Sequence, residues 1–157
     1  KFVAVGEIGL DLYWERKHIE AQREAFRIQV RWAKERELPI VIHVRNAWEE
    51  LFEEMDNLND ESLTGVFHCF TGGKNEAEHA IEYGGFMLGI GGVSTYKNGG
   101  LDLVLPDVSL EHLVLETDSP YLSPVPFRGK RNESSYVVKE KMQMFLSKQE
   151  RKTLWKK

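Results

Sequence analysis

The stretch Leu38–Val44 (LPIVIHV) decides the fold class, because it is apolar on both faces until it reaches His43. Strands with one solvated face alternate between apolar and polar residues, whereas strands buried on both faces of a parallel sheet read as continuous apolar runs. A helical pattern precedes this stretch over Arg16–Glu37, and another follows it from Asn46, where Asn46 and Glu49 resemble a capping box. Leu38–Val44 is therefore predicted to be a buried parallel strand between two helices.

The same alternation of strands and helices continues in both directions from this stretch. Further strands are predicted at Lys1–Ile8, Thr64–Phe70, Phe86–Ile90 and His112–Glu116. Further helices are predicted from Asn75 to the pair Gly84-Gly85, at Leu101–Leu105 and over Ser135–Lys148. Five βα repeats with short connections are typical of an α/β fold with a parallel sheet, either doubly wound or closed into a (β/α) barrel. Since no linker interrupts the pattern, residues 1–157 are predicted to form one domain.

The overall composition excludes several classes of protein. With 41% hydrophobic and 29% charged residues, the chain is typical of a globular domain. No apolar run is long enough for a membrane helix, so no membrane partner is expected. Cys69 is the single cysteine, which excludes an internal disulfide and favours the reducing cytoplasm. The net charge of −4 opposes non-specific capture of nucleic acid, so such a substrate would need a local basic patch or bound cations.

Four ionisable side chains occur at or just past the predicted carboxyl ends of four different strands: Glu7, His43, His68 and Asp118. In barrel enzymes this end of the sheet holds the active site, because loops from several strands converge there. Carboxylates and imidazoles are suitable ligands for Zn²⁺, Mn²⁺ or Mg²⁺. A histidine at a strand end is also often a hydrogen-bonded core residue. From the pattern alone, a metal site and a set of structural residues both remain open.

Five motifs add a resemblance to this pattern, in the order GEIGLD at Gly6–Asp11, LP with IHVR at Leu38–Arg45, VFHCFTG at Val66–Gly72, LETDSPYL at Leu115–Leu122 and RGKRN at Arg128–Asn132. Together they resemble the TatD family of metal-dependent deoxyribonucleases. The helix residues Gln22, Phe26, Gln29 and Ala33 also match that family's helix pattern. The resemblance extends from Val5 to about Glu133.

The resemblance implies a (β/α)₈ barrel related to the amidohydrolases, with a two-metal hydrolytic site for Mg²⁺, Mn²⁺ or Zn²⁺. In the family's pattern Glu7 bridges the two metals, His43 and His68 bind one of them, and Asp118 belongs to the other. Asp118 is also the base directed at the metal-bound water, which places Asp118 and Glu7 in the catalytic centre. A carboxylate beside a metal stays ionised, so it can accept that proton.

The resemblance is incomplete at the amino-terminal side. The family has a His-x-His pair on its first strand, and this sequence contains no His-x-His. Its first strand matches the family's fourth, so the chain is expected to be the C-terminal part of a barrel, with five βα units present and the first three missing. One metal site would then be incomplete, and self-association through the open sheet edges is expected. The opening at Lys1, without a methionine, is also typical of a fragment.

Two groups of residues are candidates for substrate binding. Arg128, Lys130 and Arg131 concentrate positive charge after the last predicted strand, and the resemblance assigns Arg128, Lys130 and Asn132 to the substrate. The sequence Asn132-Glu133-Ser134 departs from the family's Asn-Glu-Pro, which leaves the geometry of that turn open. The aromatic pair Tyr13 and Trp14 follows the first motif, where it could stack on a base or pack against the barrel wall.

The function that the sequence predicts is hydrolysis of phosphodiester bonds in DNA by metal-activated water, from a strand end. A small-molecule amide, lactone or phosphoester hydrolase on the same scaffold is the alternative, because fold does not choose the substrate. A non-catalytic fragment is the third interpretation, since the first-strand ligands are absent. The basic loop at Arg128–Arg131 favours DNA.

Overall fold

A computed structural model describes residues 1–139 of the chain. The strands are β1 (Val5–Asp11), β2 (Ile40–Arg45), β3 (Gly65–Phe67), β4 (Phe86–Ile90) and β5 (Leu113–Leu115). The α-helices are α1 (Ile19–Glu35), α2 (Trp48–Leu58), α3 (Lys74–Glu82) and α4 (Leu101–Val104). Short 3₁₀ turns occur at Gly92–Thr95, Leu105–Asp107, Leu110–His112 and Ser134–Tyr136. Within the described range, no helix is long and apolar enough to cross a membrane.

The order of the strands distinguishes between the two architectures that the sequence pattern left open. The five strands are neighbours in chain order, β1-β2-β3-β4-β5, and the first four pair in parallel. A doubly wound sheet reverses its direction at a switch point, whereas a barrel adds each new strand on the same side of the last one. The observed order is therefore that of a barrel-type α/β sheet.

The chain divides into two compact units, and the first comprises Lys1–His68 and Glu78–Leu88. Its core lies between one face of β1, β2 and β3 and the apolar sides of α1 and α2. Fully or almost fully buried members of this core are Ile8, Leu10, Phe26, Val30, Ala33, Ile40, Ile42, Leu51, Met55, Phe67 and Phe86. The apolar positions at three- and four-residue spacing on α1 are thus the ones that pack inward.

A buried carboxylate joins α1 to α2 in the first unit. Glu54 is 5% exposed and accepts hydrogen bonds from Arg27 at 2.6 Å and from Arg23 at 2.9 Å. A carboxylate in this position would be costly without partners, and two guanidinium groups compensate it. This connection fixes the two helices that cover β1 and β2.

The second unit comprises Cys69–Ala77 and the described residues from Gly89 onward. The hydroxyl groups of Ser94 and Thr95 are buried and donate to the carbonyl oxygens of Gly91 and Gly92, at 2.7 and 2.6 Å. A Cβ at Gly92 would lie 1.9 Å from the carbonyl oxygen of Leu122, so this close approach needs glycine. The glycine-rich turn at Gly91-Gly92 thus follows β4 tightly. The prediction that residues 1–157 form one domain stays a prediction.

Several element boundaries differ from the sequence predictions. Strand β1 begins at Val5 rather than Lys1 and continues to Asp11, because its later residues pair with β2 up to Arg45. Strand β3 ends at Phe67, three positions before the predicted end at Phe70. The predicted helix over Ser135–Lys148 lies mostly outside the described residues.

The predicted capping box at Asn46 and Glu49 is also wrong. Helix α2 has Ala47 as its N-cap with no side-chain cap, because Asn46 takes a left-handed conformation with φ 55°. Helix α3 begins at Lys74, one residue before the predicted start at Asn75, and the carboxylate of Glu76 accepts the Gly73 N–H at 2.8 Å. Such starts depend on the direction in which the preceding loop enters, which local sequence specifies poorly.

Gly9 allows β1 to approach β2 closely. Its φ is +148°, and a Cβ there would lie 1.8 Å from the carbonyl oxygen of His43. We expect Gly9→Ala to lower the free energy of unfolding by at least ~2 kcal/mol, because overpacking against backbone and a strained φ act together. Urea unfolding followed by circular dichroism measures the change.

The matched control for this variant is Gly84→Ala. Gly84 also has a positive φ, +80°, but a Cβ there would meet nothing within 4 Å. Only the conformational cost of about 1 kcal/mol should therefore appear. Equal losses in the two variants would show that the close approach of β1 and β2 does not restrict Gly9.

Candidate active site

Glu7 lies between the two histidines in the first unit. Its Oε2 atom is 3.9 Å from Nδ1 of His43, and its Oε1 atom is 3.9 Å from Nε2 of His68. The side chain of Glu7 is 52% exposed, that of His43 38% and that of His68 12%. Each carboxylate oxygen therefore faces a different imidazole, with the carboxylate open to solvent.

The pleat of the strands explains why these side chains meet. On β1 the buried residues Ile8 and Leu10 alternate with Glu7 and Asp11, which lie on the opposite face. His43 occupies that same face on β2, where it pairs with Gly9. The register of β1 against β2 shifts between Gly6 and Ile8, so Glu7 has no partner in the ladder. Irregularities of this kind redirect a side chain, here towards the ends of the neighbouring strands.

Asp11 contacts the ring nitrogen of His43 that is opposite to the one facing Glu7. Its Oδ2 atom lies 3.0 Å from Nε2 of His43, and its Oδ1 atom accepts the backbone N–H of Tyr13 at 2.9 Å. Burial alone would raise the pKa of Asp11, but these two hydrogen bonds and the nearby positive charge of Arg45 outweigh it and lower the pKa. Asp11 is therefore an ionised acceptor that orients His43, as carboxylates behind metal-binding histidines do.

Gln22 fixes Asp11 in turn. The side-chain amide of Gln22 donates to the carbonyl oxygen of Asp11 at 3.0 Å, and its oxygen accepts the Asp11 N–H at 2.8 Å. Both free backbone groups at the end of β1 are thus satisfied by one residue of α1. This contact gives a structural reason for the glutamine that matches the family's helix pattern.

The donor atoms around Glu7 are of types that bind divalent cations, but the distances between them are too long for a bound ion. Ligand atoms in a tetrahedral shell with bonds of 2.0–2.2 Å are about 3.4 Å apart. The two N···O separations of 3.9 Å are wider than this. In residues 1–139, accordingly, no group of three or more His, Cys, Asp or Glu side chains is arranged to hold a metal ion. The imidazoles would have to approach Glu7 by about 0.5 Å to become ligands, and the assignment of ligands stays a prediction.

Asp118 lies in the second unit, three residues beyond the end of β5. It is half-buried, and its carbonyl oxygen accepts the N–H of Tyr121 at 2.7 Å. No helix begins at Asp118, so it is not a helix N-cap. Its roles as ligand and base stay predictions.

Glu116 is a residue of the second unit that was not among the predicted site residues. Its carboxylate accepts the backbone N–H of Cys69, which directly follows His68 in the chain. It also packs on Gly89, where a Cβ would lie 2.6 Å from the carboxyl carbon of Glu116. Cys69 has a φ of +45° and lies outside β3, so the alternation of side chains along a strand does not extend to it.

The loop that follows Asp118 presents its basic residues to solvent. Arg128 lies over the ring of Tyr96, with 4.3 Å between its guanidinium carbon and the ring centroid, and Arg128 and Lys130 are both exposed. Asn132 differs, since it is 1% exposed and its amide joins the Tyr121 carbonyl oxygen at 2.7 Å to the Glu133 N–H at 2.8 Å. Asn132 therefore holds the loop together, and its direct contact with a substrate stays a prediction.

A period-two reading of the first motif could have found Asp11. Glu7 and Asp11 are four residues apart on one strand, so they share a face, and the carboxylate of Asp11 was quoted within that motif. Glu116 and Gln22 also lie in stretches that resemble the family, but no local pattern indicates their contacts. Their partners are distant in the chain, and only the folded structure identifies them.

Comparison with known proteins identifies the family of the chain. The family model described as TatD related DNase matches residues 1–154. The chain is 43% identical, over 138 residues, to the uncharacterized metal-dependent hydrolase YabD of Bacillus subtilis, covering 87% of this chain and 54% of YabD. It is 37% identical to the 3'-5' ssDNA/RNA exonuclease TatD of Citrobacter rodentium, covering 86% of this chain and 53% of that protein.

Solved structures show the same relationship. The crystal structure of YJJV, a TatD homolog from Escherichia coli, superposes with a TM-score of 0.84 at 31% identity, covering 90% of this chain and 54% of that one. A hydrolase of the TatD family from Entamoeba histolytica superposes with a TM-score of 0.75 at 25% identity, covering 90% of this chain and 55% of that one. The chain spans about half the length of the curated relatives it matches. With its motifs, its strand order and these matches in agreement, the chain belongs to the TatD family of metal-dependent hydrolases.

Proposed function

We propose that the full-length protein hydrolyses phosphodiester bonds of DNA from a strand end, using divalent metal ions. The observation that carries the proposal is the position of Glu7, whose two oxygens face His43 and His68 at equal distances of 3.9 Å. A carboxylate between two imidazoles supplies donor atoms of the types that bind Mg²⁺, Mn²⁺ or Zn²⁺. Membership of a family of metal-dependent hydrolases supports the same chemistry.

The residues of this chain have distinct tasks in the proposed reaction. Glu7, His43 and His68 would hold one of two divalent ions, and Glu7 and Asp118 would hold the other. When bound, divalent ions would lower the pKa of a water molecule in the site and would stabilise negative charge on the phosphoryl oxygens. Asp11 keeps the His43 ring in one orientation. Asp118 accepts the proton of the attacking water.

The choice of DNA rests on charge and on one relative. The net charge of −4 makes general attraction of a polyanion unfavourable, so binding needs localised cations. The exposed Arg128 and Lys130 provide them beside the LETDSPYL segment that contains Asp118. A relative at 37% identity is named a 3'-5' ssDNA/RNA exonuclease, which supports a nucleic-acid substrate here.

The architecture of the full-length protein is a further part of the proposal. The consecutive strand order and the superposition on about half of a TatD homolog support a (β/α)₈ barrel of which this chain supplies five units. A first-strand His-x-His would then complete the second metal site from another part of the barrel. Self-association through sheet edges is the expected behaviour of these five units without the rest. Because Cys69 is the single cysteine and cannot form an internal disulfide, the cytoplasm remains the predicted location.

Digestion of end-labelled single-stranded DNA tests the proposed function. The full-length protein is stripped of metal with a chelator, and Mg²⁺ or Mn²⁺ is then added back to parallel samples. We expect stepwise shortening from one end that appears only with metal. Hydrolysis of aryl esters or lactones without any cleavage of DNA would instead establish the small-molecule alternative. Absence of all hydrolysis with every metal would overturn the enzymatic proposal.

Removing the two exposed cations of the loop should weaken binding of DNA. We expect the double variant Arg128→Ala, Lys130→Ala to raise KM while changing kcat little. The slope of log K against log salt should become less steep by about one unit for each lost phosphate contact. Fluorescence anisotropy with a labelled oligonucleotide at several salt concentrations measures the slope.

A control with the same change in net charge is Arg31→Ala, Arg36→Ala, at the exposed side and the end of α1. This variant should keep the slope of the unmodified protein if the effect of the loop is local. If both double variants change the slope equally, only the total charge matters and the loop does not contact the substrate.

A further inference from the structure

An exposed aromatic pair follows β1 immediately after the candidate site. The exposed fraction is 48% for Tyr13 and 83% for Trp14, whereas the preceding Leu12 is 6% exposed and anchors the segment in the core. The two rings meet edge to face, with centroids 4.8 Å apart and an angle of 88° between planes. Tyr13 thus braces the Trp14 ring, and most of the surface of Trp14 is open to solvent.

The aromatic pair is attached to the candidate site through one carboxylate. Asp11 accepts the N–H of Tyr13 at 2.9 Å with Oδ1, and its Oδ2 lies 3.0 Å from Nε2 of His43. The opposite ring nitrogen of His43 faces Glu7. The position of the aromatic segment is therefore coupled to the position of the predicted ligands within a single chain of contacts.

Arg45 adds positive charge at the same place. It is the last residue of β2 and is the strand partner of Asp11. Its guanidinium carbon lies 3.5 Å from the centroid of the Tyr13 ring, which is the geometry of a cation–π contact. Arg45 itself is exposed, so the guanidinium is accessible to an anion in solution.

We propose that Trp14, braced by Tyr13, is a stacking platform for an unpaired nucleobase of the substrate, with Arg45 beside it on the Tyr13 ring. The inference rests on the proposed nuclease function and specifies the form of nucleic acid that the site accepts. The exposed indole suits a base, and the guanidinium of Arg45 suits a phosphate. The nearby carboxylate–imidazole cluster would then face the scissile bond. Since the faces of a base in a duplex are already covered by its neighbours, the platform requires a single strand or a frayed end.

Binding to oligonucleotides with and without bases tests the platform. The full-length protein and the variants Trp14→Ala, Trp14→Phe and Trp32→Ala are titrated in a chelator against a labelled single strand and against an abasic strand of equal length. Trp32 is the matched control, because it is 49% exposed on α1. Readout by anisotropy without metal separates binding from catalysis.

The expected result is a selective loss for Trp14→Ala. Stacking contributes about 1–3 kcal/mol per base, which corresponds to a rise in Kd of roughly 5- to 150-fold for the normal strand. The Kd for the abasic strand should stay within about twofold, Trp14→Phe should retain most of the affinity, and Trp32→Ala should match the unmodified protein. Equal weakening for both strands, or no weakening, would overturn the platform.

Hydrolysis with Mn²⁺ separates failure of the platform from failure of the proposed function. If the unmodified protein cleaves DNA and Trp14→Ala cleaves it with an unchanged KM, only the platform is wrong. If the unmodified protein neither binds nor cleaves any strand, the nuclease proposal and the platform fail together. Thermal unfolding of each variant shows whether Trp14 instead packs against other parts of the full-length protein, because Trp14→Ala would then lower Tm and weaken both strands alike.

Discussion

Asp118→Asn in the full-length protein is expected to lower kcat by about three or more powers of ten without unfolding it. In the proposed mechanism the substitution removes a metal ligand and the acceptor of the water proton at once. Asp118 is half-buried beyond the end of β5, and asparagine has nearly the same shape, so the free energy of unfolding should change little. Single-turnover hydrolysis of labelled DNA measures the loss.

A second aspartate provides the control for this variant. Asp102 lies in the first turn of α4, in the same unit as Asp118, and has no proposed part in the reaction. Asp102→Asn should therefore retain normal turnover. Near-normal kcat in a folded Asp118→Asn protein would remove Asp118 from the mechanism.

Glu7→Gln should abolish stable binding of divalent metal and lower activity by at least about a hundredfold. Glutamine keeps one oxygen but replaces the other with an N–H₂ donor, so it cannot present an acceptor to both histidines. Because the carboxylate of Glu7 is 52% exposed, the fold itself should tolerate the change. Titration calorimetry with Mn²⁺ measures both the affinity and the number of ions bound.

Glu15→Gln is the matched control for the metal titration. Glu15 is an exposed glutamate shortly after β1, paired with Lys17 at 2.9 Å, and has no place in the proposed site. It should bind metal as the unmodified protein does. If Glu7→Gln retained full metal stoichiometry and affinity, the bridging role of Glu7 would be wrong.

The sequence by itself determined the fold class and the positions of all five strands, with errors only at their ends. Apolar runs such as Leu38–Val44 indicate a strand that is buried on both faces. The helical spacing of Phe26, Val30 and Ala33 indicates the buried side of α1. These signals are local, because they depend on which neighbouring side chains face the core. The family was likewise recognisable from motifs, and the comparisons confirm it.

Boundaries and bulges were decided by pairing between strands. Strand β1 continues to Asp11 because β2 offers it partners up to Arg45, and it skips Glu7 in the ladder. The closeness of β1 and β2 at Gly9, where a side chain would meet the His43 carbonyl oxygen, has no local signal beyond the glycine itself. Such features depend on two chain segments at once, so reading one of them cannot locate them.

The side-chain contacts of Asp11 and Glu116 were decided by the tertiary structure alone. Asp11 reaches His43 across 32 positions, and Glu116 reaches the N–H of Cys69 across 47. Buried apolar residues recur in the sequence with the period of their own helix or strand, so they can be recognised from the sequence. A polar side chain that contacts a distant residue produces no such repeat. The sequence therefore supplied candidate side chains for the site, whereas the folded chain decided that the carboxylate of Asp11 contacts His43.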